Sequence, residues 1–147
     1  MKQKSIPAKG LVVFSSYKMY TRRGEFTVID IETGQLVAWR KFRNAITSDN
    51  VIAVLSICAA CQFCLDNKYV QKIYCTSEVA YKWAKDKQVK TKSSSPGMIK
   101  LVEEKLKVVD FLDFPKSVEL WNPDWGNMKD YLDYLDTTRG STDNLPF

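Results

Sequence analysis

The side chains able to do chemistry in this chain are acids, amines and thiols, because histidine is absent altogether. That removes His-dependent triads, imidazole general bases and His-ligated zinc from consideration. Cys58-Ala-Ala-Cys61-Gln-Phe-Cys64, with Cys75 nearby, has the count of a metal or iron–sulfur ligand set. The setting argues against that use. Val51, Val54, Leu55, Cys58, Cys61, Gln62 and Leu65 recur at helical spacing between Ser48 and Leu65, so the thiols join a stripe expected to be buried. Steps of three residues rotate each thiol by about 60° on a helix, and Cys58 and Cys64 then diverge by about 120° instead of converging on one ion. The cysteines are expected to be small buried hydrophobes in a reducing compartment.

The amines form two groups. Lys82, Lys85, Lys87, Lys90 and Lys92 flank Trp83 and run into a Ser-rich loop. Charges at backbone spacing beside an aromatic platform suit phosphate binding; alternatively, Trp83 packs inward and the lysines solvate a helix. Arg22, Arg23, Arg40, Lys41 and Arg43, beside Trp39 and Phe42, make a second group, an independent patch or a protein contact. The formal net charge of +5 is unevenly spread: residues 1–43 carry nine bases and three acids, residues 44–109 ten and six, and residues 110–147 three and eight. Such asymmetry draws a polyanion to one side of a fold or lets an acidic tail cover the basic side; ordinary solvated surface is the bland alternative.

These groups need a scaffold, and 147 residues make one domain with one core. No apolar run approaches the roughly 20 residues that span a bilayer, and Met1 to Pro7 lacks a secretory signal, so a cytoplasmic protein with no membrane partner is expected. Gly10 to Met19, Glu25 to Glu32 and Gln35 to Phe42 read as three antiparallel strands, the first a continuous apolar run suited to a central position. A long helix follows from Ser48, opened by Thr47, Ser48 and Asp49, then a short strand at Gln71 to Cys75 and a helix at Glu78 to Lys87. A helix from Met98, a strand at Ser117 to Trp121 and a helix from Met128 to Leu135 complete the order. Residues 1–8 form a basic arm, 9–136 the domain and 137–147 a loosely ordered tail.

That order, with Asp30-Ile-Glu32-Thr33-Gly34, Ile73-Tyr74-Cys75-Thr76-Ser77, Ala80-Tyr-Lys82-Trp83, Lys90-Thr91, Trp121 and Trp125-Gly126, resembles ribonuclease H type 1, the compact branch common in bacteria, over about residues 9–131. The resemblance implies an α/β fold with a mixed five-stranded sheet, three antiparallel strands then two parallel, and helices on both faces. It further implies cleavage of the RNA strand of an RNA/DNA hybrid by two magnesium ions held on four carboxylates.

Carried over one at a time, those four positions fall on Phe14, Ala53, Thr76 and Tyr131, none of them a ligand. The resemblance therefore implies a degenerate member with no catalytic residue and no cofactor, which binds RNA or an RNA/DNA hybrid through Lys82, Trp83, Lys85, Lys87, Lys90, Lys92, Arg22 and Arg23. Two alternatives stay open. The chain is a scaffold for a protein partner or a homo-oligomer, or a magnesium site has moved to Asp49, Glu78 and Asp130, near misses of the family positions. Asp49 and Glu78 have a simpler role as acids at helix N-termini, where the macrodipole stabilises them.

Overall fold

In the computed structural model the described residues are 6–18, 20–21, 23–42, 49–69, 72–90, 96–107 and 117–138. Arg22, Arg43, Lys92, most of the basic arm and the end of the tail lie outside them.

Leu11-Val-Val-Phe opens β1 (Leu11–Lys18), and its first four residues are buried on both faces, as a continuous apolar run requires. β1 pairs antiparallel with β2 (Arg23–Asp30), which pairs antiparallel with β3 (Leu36–Phe42). On its other side β1 runs parallel to β4 (Ile73–Cys75), and β4 runs parallel to β5 (Val118–Leu120). The sheet is five-stranded in the order β3-β2-β1-β4-β5, the mixed arrangement expected. Gly10 admits β1 beside β4: a Cβ there would stand 2.7 Å from the Lys72 carbonyl oxygen, and its φ of +129° is a conformation that L side chains rarely adopt.

Side chains alternate across this sheet, and each face gathers its own core. Leu11, Val13, Phe26, Val28, Ile73, Cys75 and Val118 face α1 (Asp49–Asp66), α2 (Glu78–Asp86) and α3 (Pro96–Lys105). Val12, Phe14, Ile29, Ile31 and Tyr74 face the opposite way and meet Trp121 and Tyr131, the latter on α4 (Met128–Thr138). Helices thus cover both faces.

α1 is buried over more of its surface than the expected stripe. Val51, Ile52, Ala53, Val54, Ser56, Ile57, Cys58, Ala60, Cys61 and Cys64 are all buried, whereas Gln62 is exposed and donates to Asp66 at 2.8 Å. By length and composition alone α1 is apolar enough to cross a membrane, an exception to the expectation from the sequence; here it is the core helix, packed against the sheet, α2 and α3. Its first turn presses on β2 at Gly24, where an added Cβ would come 2.0 Å from Ile52 Cδ1.

Ser77 caps α2 by accepting from the Ala80 amide at 3.1 Å, and Lys87 ends it in the left-handed conformation, φ 56°. The half-buried Glu103 of α3 accepts from the Val89 amide at 2.9 Å and ties α3 to the segment that follows α2. Val102, and Leu106 just past the end of α3, are buried against the same core.

Candidate nucleic-acid interface

β1, β4 and β5 end at the same end of the sheet, where open α/β sheets place their sites. Val13 pairs with Cys75, so Phe14 and Thr76 stand side by side one residue later, and the Thr76 hydroxyl donates to the Val13 carbonyl at 3.0 Å. The chain leaving β5 returns Trp121 to this end, its amide bonded to the Cys75 carbonyl at 2.8 Å and its indole N–H to the Gly126 carbonyl at 2.8 Å. α4 then brings Tyr131 over the sheet.

Phe14 is 4% exposed, and its ring lies 5.9 Å from Trp121 and 5.9 Å from Tyr131 between centroids. Trp121 meets Trp125 edge to face at 4.9 Å, and Tyr74 meets both tryptophans. Each such pair is worth about 0.5–1.5 kcal/mol beyond burial. Three of the four positions carried over from the ribonuclease resemblance, Phe14, Thr76 and Tyr131, therefore gather at one end of the sheet, two of them in ring contact. The fourth, Ala53, is buried on α1 in the core of the other face.

This donor set does not fit two divalent ions, which need converging carboxylate oxygens. Asp49 and Glu78 are exposed in the first turns of α1 and α2. Asp130 is taken up by a reciprocal capping arrangement: its amide donates to Asn127 Oδ1 at 2.9 Å, and the Asn127 amide donates to Asp130 Oδ2 at 3.3 Å. Among the described residues no three Cys, Asp or Glu side chains gather to hold an ion. The four thiols are free and buried, and burial pushes Cys58 and Cys75 up to about 12 and Cys64 to about 11.

Lys82, Lys85, Lys87 and Lys90 are exposed on and after α2, and Lys82 and Lys85, three residues apart, are neighbours on the helix surface. Trp83 takes the inward alternative: its ring is 8% exposed, packed with Ala80 and Ala84 in the α1-side core, and offers no face for stacking. Glu78 and Asp86 lie one helical turn either side of Lys82, so the row is partly neutralised.

The second basic group is differently built. Trp39, Arg40 and Lys41 are exposed on β3, with Arg40 4.9 Å over the Phe42 ring and Lys41 Nζ 5.6 Å over the Trp39 ring. The Trp39 indole N–H reaches Glu25 Oε2 at 3.5 Å. Lys18, Arg23 and Lys41 surround a notch of about 210 Å³ with Ser16, Gly24, Glu25 and Phe42. Sequence reasoning missed Lys18; pairing with Arg23 across the hairpin, readable from strand alternation once the register is known, brings it in.

Three solved structures bear on the fold. The chain is similar to the N-terminal RNase H domain of a Mycobacterium tuberculosis protein, with 12% identity, a TM-score of 0.52, and coverage of 90% of this chain and 94% of that one. It is similar to LC11-RNase H1 isolated from compost, with 10% identity, a TM-score of 0.52, and coverage of 81% and 84%. Against prototype foamy virus protease-reverse transcriptase the identity is 10% and the TM-score 0.50, over 97% of this chain and 23% of that one. No family model and no curated protein matches the sequence. The fold of this chain is RNase H-like.

Proposed function

We propose that this chain binds nucleic acid, RNA or an RNA/DNA hybrid, and does not hydrolyse it. The observation that carries the reading is the ring contact between Phe14 and Tyr131, which fills with apolar surface the place where the resemblance to ribonuclease H calls for metal-binding carboxylates. Without ligands the scissile phosphate has no Lewis acid and no activated water, and positioning alone does not replace them. Phosphate binding asks less, only accessible cations at backbone spacing, which Lys82, Lys85, Lys87 and Lys90 supply.

The test offers the purified chain a labelled RNA/DNA hybrid with magnesium or manganese. The expected result is no cleavage together with binding that weakens steeply with salt. Replacing Lys82, Lys85, Lys87 and Lys90 with glutamine should lower the salt slope by about 0.9 for each phosphate no longer neutralised on a duplex of B-DNA type. Cleavage that disappears in Asp49→Asn, Glu78→Gln or Asp130→Asn would overturn the reading and establish a relocated metal site. No binding even at low salt, with a stable oligomer, would favour the protein scaffold instead.

A further inference from the structure

The aromatic cluster and the lysine row leave a third surface unexplained. Pleat and register put Ser16 and Lys18 of β1, Arg23 and Glu25 of β2, and Trp39 and Lys41 of β3 on one side of the sheet, the side α4 covers further along. α4 begins at Met128, whose sulfur receives the Thr27 hydroxyl at 3.7 Å; Phe14, Thr27 and Trp39 form one row across the strands, with Trp39 at its outer end, and Ser16, Glu25, Lys41, Lys18 and Arg23 lie in the rows beyond. Among the described residues none covers those rows: Ser16, Lys18, Arg23 and Lys41 are exposed, Glu25 is half-buried, and Trp39, at the end of the Thr27 row, is 40% exposed.

Three features of this surface point to one kind of ligand. The Trp39 indole is 40% exposed, with Lys41 over one side of its ring and its N–H steered by Glu25, which leaves the other side as a flat platform beside a cation. Lys18, Arg23 and Lys41 occupy three neighbouring strands, about 4.8 Å apart from strand to strand, with Glu25 as the one carboxylate in the set. The notch of about 210 Å³ among them is concave and polar, with room for a phosphodiester group.

We propose that this open sheet face binds a single-stranded nucleic acid, one unpaired base stacking on Trp39 and the adjoining phosphates drawn to Lys18, Arg23 and Lys41. The proposal rests on the nucleic-acid reading above and adds the strand state and the place. Strand state follows from the indole: a side chain can stack only on a base whose face is free, and a duplex buries those faces in its own stack. An acidic peptide would satisfy the cations but has no use for the indole.

The experiment measures anisotropy of a labelled 15-nucleotide oligo(U), and in parallel a 15-base-pair RNA/DNA hybrid, with the full chain at low salt. Trp39→Ala should weaken oligo(U) about five- to hundred-fold, Trp39→Phe should restore most of that affinity, and binding should quench tryptophan fluorescence in the parent. Lys18→Gln, Arg23→Gln and Lys41→Gln together should lower the single-strand salt slope by about 0.7 for each phosphate that these cations neutralise. A charge-matched control, Lys9→Gln with Lys68→Gln and Lys100→Gln, should leave that slope unchanged. Full affinity for oligo(U) in Trp39→Ala, or displacement by polyglutamate equally well from parent and Trp39→Ala, overturns this proposal while nucleic-acid binding stands. Failure of both probes to bind the parent overturns both.

Discussion

The two faces of the sheet solve different problems with different side chains. The face under α1, α2 and α3 is closed largely by aliphatic residues and thiols, Val, Ile, Ala and Cys, which pack as small interchangeable units. The face under α4 is closed by a few large rings around Phe14 and, among the described residues, is uncovered from Ser16 onward. Among the described residues α1 and α2 both lie on the sheet on the first side, with α3 packed against α1, whereas on the second side wide rings extend the reach of one helix. The lesson is that the apolar filling near Phe14 and the exposed cations beyond it are consecutive parts of one face, separated by the row through Thr27.

The severest way to break that contrast is Phe14→Asp. Removing a buried aromatic costs about 3–5 kcal/mol, and burying an unpaired carboxyl adds to it. Urea unfolding should show the destabilisation directly; a thermal midpoint within a degree or two of the parent would mean that residue 14 faces water and that the rings fill nothing.

A smaller effect distinguishes the thiol-bearing face. Burial raises Cys58 and Cys75 from 9.0 to about 12 and Cys64 to about 11, and it raises Cys61 as well. Above pH 9 the unfolded chain ionises these thiols while the folded chain keeps them protonated, so unfolding releases protons. The stability they contribute is full below pH 9 and declines as pH rises towards 11–12. Denaturant midpoints followed from pH 7.5 to 9.5, before tyrosines ionise, should begin to fall at the top of that range, and native thiols should resist alkylation throughout. Rapid alkylation at pH 8 would show that this core opens.

The smallest effect belongs to the open part of the second face. Trp39→Ala should change unfolding free energy by no more than about 0.5 kcal/mol, as for a surface substitution. A destabilisation of about 2 kcal/mol or more in the same urea titration would make the indole part of the core and erase the boundary at Thr27.

Much of this is legible in the residues. The alternation of Glu25 to Glu32 and the apolar run of Leu11 to Phe14 place β1 to β3 to within two residues, and the Ala80, Trp83, Ala84 spacing explains why that tryptophan turns inward. α1 is less readable. A helix apolar around most of its circumference has no period to betray its buried side, so spacing alone puts Gln62 in the core and leaves Ile57 out of it. The ring cluster draws on residues 14, 74, 121, 125 and 131, and no local spacing connects them; only the return of the chain after β5 does. Lys18 gives no local signal because its relevance comes from the strand opposite.

Trp39, Arg40 and Lys41 have a further consequence through the strand that carries them. Among the described strands β3 is an outermost one, and such an edge offers a row of backbone groups to any second chain in extended form. Adjacent cations on such a strand repel a second copy laid alongside, and at the opposite margin β5 is only three residues long, its Glu119 engaged by Lys72. Residues that suit a phosphate backbone thus also guard the sheet against templated aggregation, which ties solubility of this chain to the charges of its β3 margin.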